Sequence, residues 1–349
     1  MTRPVTTMRC VVVREHGGID KLLLTERPIP TPLPGQVRVR VRAIGLNHLD
    51  TWVRRGVPGH TFPLPLIPSS DAAGVIDAVG SDVRGPKEGD AVVVLPGVSC
   101  GACEACQSGV DQLCRSYHIL GESCDGTSAE HVCVPAANVA PLPAGLTFDQ
   151  GASICLVFQT AWNMLVRRAE LRAGETVLVH AGLSGVGSAA MQIANVLGAQ
   201  VIATAGGAAK CERVRALGAH HVVDHTQQDV AAAVRAITGK AGVQVVFEHT
   251  GAATFDASLK CLARGGRLVT CGATTGGDVR LSLHAVFFKS LSILGSTMGG
   301  KGDLRGVLRL FEQGRLRPVL DRALPMAQVG EAHRLLEGRQ ALGKLVLTP

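Results

Sequence analysis

TVLVHAGLSGVG, residues 176–187, decides the fold. Val177, Leu178 and Val179 make an apolar run of buried-strand length, and Gly182, Gly185 and Gly187 follow it at once. A strand that breaks into a glycine-rich turn lets the chain double back closely and start a helix whose first N–H groups point into the turn. That arrangement suits a dinucleotide pyrophosphate. Ser184 stands where the middle glycine of the pattern falls, and its hydroxyl can donate to a phosphate.

Downstream the texture alternates strand and helix. A helix is predicted over 185–197, a strand over 200–204, a helix over 208–217, and strands over 221–224, 243–248 and 267–271. This rhythm predicts a doubly wound parallel sheet of the Rossmann kind. Leu291 to Gly295 reads as its apolar last strand. The end of the second strand is where an NAD site places an acid for the ribose 2′-hydroxyl. Here the chain reads Thr204-Ala205-Gly206-Gly207-Ala208-Ala209-Lys210, with no carboxylate and with Lys210 available to a 2′-phosphate. NADPH is expected in preference to NADH.

Upstream of 150 the chain is rich in Pro and Gly, and Val37, Val39 and Val41 alternate with Arg38, Arg40 and Arg42. A period of two predicts half-buried antiparallel strands, joined at 74–79 and 91–95 by further ones. A small β-rich domain is expected. After about residue 297 come amphipathic helices at 304–313 and 329–337 and a final strand at 344–347.

Cys100, Cys103, Cys106 and Cys114 stand in CGACEACQSGVDQLC. Four thiolates gathered by short loops form a closed tetrahedral S4 shell that suits one structural zinc and leaves no position for substrate. A [4Fe–4S] cluster is the competing reading, but the fourth cysteine lies in the same segment and is followed by Arg115, not by proline. Cys10, Cys133, Cys211, Cys261 and Cys271 read as buried small hydrophobes.

The chain has 349 residues, 46% hydrophobic and 18% charged, enough for two cores and too apolar for disorder. Its net charge of +7 is scattered, with no basic block of a nucleic-acid or lipid-binding tail. Diffuse positive charge serves solubility first, and also suits a phosphorylated small molecule. The opening MTRPVTTMRC has no apolar core of signal-peptide length and no run reaches a membrane span, so a cytoplasmic location is expected, with no membrane and no nucleic-acid partner.

GLNHLD (45–50), PSSDAAG (68–74), the cysteine lobe (97–115), FQTAW (158–162), TCGATTG (270–276) and GKLVLTP (343–349) together resemble the medium-chain dehydrogenase/reductase superfamily, the zinc-type alcohol dehydrogenases and quinone oxidoreductases. Within it they resemble zinc-binding dehydrogenases and acryloyl-CoA or enoyl-CoA reductase-like members. The resemblance implies a GroES-like catalytic domain from residues 1–155 and 297–349, a Rossmann domain from 156–296, and an active site in the cleft between them. It implies that Thr160 contacts the nicotinamide side of the cofactor and that the Gly272 turn passes beneath it. Gly182, Ser184, Gly185, Val186, Gly187, Thr204 and Lys210 complete the cofactor set.

The resemblance also exposes a loss. Zinc alcohol dehydrogenases of this kind hold a second, catalytic zinc at positions matched here by Asn47, Ser70 and Leu156, none a good ligand, and the relay hydroxyl falls on Leu49. Asp71, with His48, Asp50, His60 and Cys155 nearby in sequence, leaves an improvised metal site open. Carbonyl reduction needs an electrophile on oxygen, whereas hydride addition to a conjugated alkene spreads charge into an enolate that hydrogen-bond donors can hold. The reading is therefore an NADPH-dependent reductase of an α,β-unsaturated thioester such as dimethylacryloyl-CoA. Asn47 and His48 would donate to the enolate oxygen, or His48 would protonate the α-carbon or serve only as a hydrogen-bonded structural residue, and Asp50 would orient His48 or fix a loop. A quinone or enone reductase, a zinc alcohol dehydrogenase and a non-catalytic nucleotide-binding scaffold are the alternatives. A small-molecule substrate and a homodimer complete the expectation.

Overall fold

The fold is described from a computed structural model, over residues 6–349; the first five residues, with the start of the opening segment read above, lie outside the described residues. The chain divides into one unit up to Leu156 and from Gly300 onward, and a second from Val157 to Gly299.

The second unit is built on a six-stranded sheet whose pairs are all parallel. Its order is His221–Asp224, Gln200–Ala205, Thr176–Val179, Val243–Glu248, Leu262–Thr270, Ser292–Gly295. Parallel strands covered on both faces must be apolar throughout, and Val177, Leu178, Val179, Val245, Val246 and Phe247 are fully buried. Helices Gly185–Val196, Ala208–Ala216, Val230–Ile237 and Ala252–Cys261 connect the strands. The order reverses between the first strand, Thr176–Val179, and Val243–Glu248, the switch point at which such sheets take ligands. The fifth strand is longer than its sequence pattern, because Arg264, Gly265 and Gly266 mask its first half. The last strand is the sheet edge, with Ile293 exposed.

The first unit carries a seven-stranded sheet centred on Gln36–Gly45, which pairs with Asp71–Val79, His131–Pro135 and the C-terminal strand Lys344–Thr348. Val37, Val39 and Val41 face the core as their alternation predicted. Strands Thr7–Val13, Leu22–Pro28, Val139–Pro141 and Leu320–Pro325 escaped the sequence reading, since most are short or of mixed polarity. Two residues separate the end of the central strand from helix His48–Arg55. Among the described residues no helix is long and apolar enough to cross a membrane.

Candidate functional site

In the second unit the glycine turn is tightly closed by its own backbone and by Thr204. Ala181 adopts a left-handed φ of 46°. Its N–H donates to Thr204 Oγ1 at 3.0 Å, and Gly182 N–H donates to Thr204 O at 2.8 Å. A Cβ at Gly187 would collide with the Ala181 carbonyl, so only glycine closes this turn. Ser184 caps helix Gly185–Val196 by accepting the Gly187 N–H at 3.0 Å. Its first role is thus to start the helix, beyond the phosphate contact its sequence position suggested. Val186 lies in the helix's first turn.

Thr160, on helix Cys155–Trp162, is buried and its Oγ1 has no hydrogen-bond partner. A hydroxyl so placed costs free energy until something pairs with it, which fits the cofactor contact that the resemblance implies. Gly272 follows the fifth strand, and its carbonyl accepts from Thr270 Oγ1 at 3.2 Å.

Lys210 sits in the first turn of helix Ala208–Ala216. The sequence segment there held no carboxylate, but the fold supplies one. Because His221–Asp224 runs parallel to Gln200–Ala205 in register, Asp224 stands beside Ala205. Its Oδ1 accepts from Gly207 N at 3.1 Å and from Thr226 N and Oγ1 at 3.0 and 2.6 Å. The Thr226 hydroxyl and the Gly207 and Thr226 amides hold this carboxyl below the usual range.

Sequence reasoning also missed the buried network beneath the turn. Glu248, at the end of the fourth strand, accepts from Thr250 N, Gly251 N, Thr254 Oγ1 and Ser258 Oγ. His180, 1% exposed, lies between Ser258 and Thr204. A lone apolar-flanked histidine after a strand carries no signal of this in sequence. His249 Nε2 lies 2.9 Å from His180 O and 3.4 Å from Ser184 Oγ, which places a second imidazole at the turn.

In the first unit Asn47 and Asp50 are brought together, and with them a residue not foreseen, Lys344. Asp50 Oδ2 accepts Asn47 N at 2.8 Å and Ser69 Oγ at 3.3 Å, so it fixes the helix start and the 69 loop. Burial is the main cause that raises the Asp50 carboxyl to about 7, with hydrogen bonds from Asn47 and the charge of Lys344 opposing. Asn47 is buried, while His48, the next residue, is exposed.

Asp71 is fully buried and its oxygens are committed, Oδ1 to Leu156 N at 2.9 Å and Oδ2 to Asn47 Nδ2 at 3.0 Å and Lys344 Nζ at 3.4 Å. Burial pushes the Cys155 thiol well up, with Asp71 adding to it, so it stays protonated. His60 turns instead to Glu122, 3.4 Å away. Ser70 Oγ is buried without a partner. These residues do not fit a second metal ion.

The four-cysteine lobe does fit one. The Sγ atoms of Cys100, Cys103, Cys106 and Cys114 all lie within 4.8 Å of one another. The pairs 100–106, 103–106 and 100–114 are 3.8, 3.5 and 3.5 Å apart, against the roughly 3.8 Å edge of a ZnS4 tetrahedron. Backbone N–H groups of Ala102 and Cys103 pull the Cys100 thiol down to about 6, toward the thiolate a metal needs. Among the described residues no other group of three or more His, Cys, Asp or Glu is gathered in this way. Of the cysteines expected to be buried, Cys10, Cys211 and Cys261 are, whereas Cys133 and Cys271 are half-buried, because each lies at the rim of its sheet.

A dinucleotide turn on a parallel sheet, a β-rich unit with a thiolate lobe, and a buried polar cluster at a helix start define a nucleotide-dependent oxidoreductase. Residues 33–144 match the alcohol dehydrogenase GroES-like domain and residues 185–313 match the zinc-binding dehydrogenase family. The chain is 32% identical to the quinone oxidoreductase of Homo sapiens, over 97% of each chain. It superposes on a crystal structure of an NAD-dependent alcohol dehydrogenase with a TM-score of 0.94 and 48% identity, over 98% of this chain and 100% of that one. It also superposes on the 2-octenoyl-CoA carboxylase reductase CinF, in complex with NADP and 2-octenoyl-CoA, with a TM-score of 0.90 and 28% identity, over 99% and 88% of the two chains. The chain belongs to the medium-chain dehydrogenase/reductase superfamily and is an NAD(P)H-dependent oxidoreductase acting on a small molecule.

Proposed function

We propose that the enzyme reduces an electron-poor alkene, an α,β-unsaturated thioester of the enoyl-CoA or dimethylacryloyl-CoA type, with NADPH as donor. The observation that carries this reading is the cluster of Asn47, Asp71 and Lys344, in which a carboxamide held between a carboxylate and an ammonium occupies one of the ligand positions that the resemblance implies. An isolated carbonyl needs a strong electrophile on its oxygen, but an enolate is held by hydrogen bonds. Bound NADPH supplies the hydride. Asn47, through Nδ2, donates to the thioester oxygen as charge arrives there. His48, exposed beside it, delivers the proton to the α-carbon. Asp50 acts behind them, holding the Asn47 backbone.

On the cofactor side Thr160, Gly182, Ser184, Gly185, Val186, Gly187, Thr204 and Gly272 form the dinucleotide cradle, and Lys210 pairs with the 2′-phosphate. The lobe at Cys100, Cys103, Cys106 and Cys114 holds one structural zinc. Leu283, Phe287, Phe288 and Ile293, exposed beside the edge strand, form the contact of a homodimer.

Similarity to a human quinone oxidoreductase supports a second reading, reduction of a quinone by the same hydride. NADPH oxidation followed at 340 nm with 3-methylcrotonyl-CoA, crotonyl-CoA, 9,10-phenanthrenequinone and simple aldehydes separates them. Thioester turnover is expected. Preference for aldehydes, with a second chelatable zinc, would overturn conjugate reduction.

A further inference from the structure

Lys344 is 5% exposed and lies on the C-terminal strand of the first unit. Its Nζ donates to Leu46 O at 2.6 Å, Asn47 Oδ1 at 2.6 Å and Asp71 Oδ2 at 3.4 Å, one acceptor for each ammonium proton. Burial pushes the amine below its ordinary range, opposed by Asp71, Asp50 and Cys155. Burying an ammonium is costly, and only close, complete hydrogen bonding offsets the cost. A strand whose neighbours Leu345 and Leu347 are wholly apolar does not need that charge for packing.

Its geometry gives it another use. An ammonium only donates and a carboxylate only accepts, so the Asn47 amide has a single allowed orientation, Oδ1 toward Lys344 and Nδ2 toward Asp71. The flipped amide would set N–H against N–H and oxygen against oxygen. A cation on the amide oxygen also polarises the group and strengthens its remaining N–H as a donor.

We propose that Lys344 is a positioning residue of the reduction, fixing and polarising the Asn47 carboxamide so that its free N–H holds the oxygen on which charge develops. The proposal rests on the reading of Asn47 as that donor. The fixed ammonium takes over, through an amide, the charge stabilisation that a metal ion supplies directly in metal-dependent carbonyl reduction.

The test compares full-length, zinc-loaded Lys344→Met, Lys344→Gln, Lys344→Arg, Asn47→Ala and the Lys344→Met/Asn47→Ala pair. They are assayed on whichever of 3-methylcrotonyl-CoA and 9,10-phenanthrenequinone the wild type reduces, so failure of the thioester reading leaves the test intact. Lys344→Met is expected to lower kcat about 100-fold with KM within about 3-fold, and the double variant to be no slower than Asn47→Ala. Lys344→Gln keeps a donor without charge and should fall between; Lys344→Arg should recover kcat to within about 10-fold of wild type. NADPH affinity should not move. Independently of turnover, the Asn47 side-chain amide proton signals, assigned from Asn47→Ala, should exchange slowly in wild type and fast in Lys344→Gln. Additive losses, or Lys344 variants that lose thermal stability but keep wild-type kcat per folded chain, would overturn the proposal.

Discussion

The Ser258 hydroxyl donates to Glu248 Oε2 at 2.8 Å, with both side chains fully buried beneath the glycine turn. The same hydroxyl lies 3.0 Å from His180 Nε2, and His180 Nδ1 lies 3.4 Å from Thr204 Oγ1, which holds the Ala181 N–H. A chain of hydrogen bonds thus runs from the end of the fourth strand to the turn. Burial pushes His180 down to about 4 despite Glu248, so it is neutral and can relay one bond in each direction. Glu248→Ala leaves the Thr250 and Gly251 amides without an acceptor, while the Thr254 and Ser258 hydroxyls keep Gly251 O and Thr254 O, and should cost about 3 kcal/mol in urea unfolding, with weaker NADPH binding by calorimetry. Glu248→Gln retains an acceptor and should lose less. Equal losses from both variants would refute the relay.

Gly187 offers a sharper probe of the cofactor cradle. A methyl there meets the Ala181 carbonyl, so Gly187→Ala must open the turn. Affinity for NADPH should fall at least about 10-fold while the zinc content, which belongs to the other unit, stays at one per chain. Unchanged affinity would mean that the cofactor does not lie on this turn.

Cofactor choice turns on charge at the end of the second strand. Lys210→Met should raise the dissociation constant for 2′-phospho-ADP-ribose about 10-fold and leave that of ADP-ribose unchanged. Asp224 is tied to Gly207 and Thr226, so Asp224→Ala should loosen the turn and weaken both ligands. A selective gain for the phosphorylated ligand in Asp224→Ala would instead show that Asp224 faces the ribose.

The four-cysteine lobe is pinned to the rest of its unit through Asp111. Asp111 Oδ1 accepts the Lys301 N–H at 2.9 Å, at the start of helix Lys301–Glu312, and Lys301 Nζ reaches Ser99 Oγ at 2.6 Å. Stripping the metal, or Cys103→Ser, should release one zinc per chain and speed amide exchange in the first turn of that helix. The glycine turn should keep its protection. Exchange unchanged at residues 301–304 would show that the lobe is not a brace.

Asp50 gives stability a pH dependence of its own. A carboxyl raised to about 7 in the folded chain from 3.8 binds more protons folded than unfolded between those limits. Its contribution is fully present below about pH 4 and is lost as pH rises through 7, a difference of roughly 4 kcal/mol. His180, lowered to about 4, and His333, lowered to about 3, act in the opposite direction below pH 6.5, as do His131 and His249, so the wild-type curve alone mixes these contributions. Asp50→Asn keeps an acceptor for the Asn47 N–H without the titration. The wild type minus Asp50→Asn difference in unfolding free energy should fall with pH across that window, and a flat difference would place Asp50 outside the buried cluster.

What the sequence determined by itself was whatever depends on near neighbours along the chain. The strand, turn and helix at 176–196 follow from a run of aliphatics and three glycines. The thiolate cluster follows from fifteen consecutive residues, and the alternation of Val37, Val39 and Val41 fixes the buried face of the central strand. Even Asn47 as an N-cap with Asp50 three residues on is a local pattern. The tertiary structure decided everything that joins distant segments. Lys344 lies 297 residues from Asn47 in the chain and meets it because the last strand pairs antiparallel with the central one, Val346 opposite Gly45. Asp224 reaches Gly207 at the end of the second strand through a parallel strand in register, and Glu248 reaches His180 across the switch in strand order. Charges like these leave no periodicity, because their partners are chosen by which strands lie side by side and not by spacing along the chain.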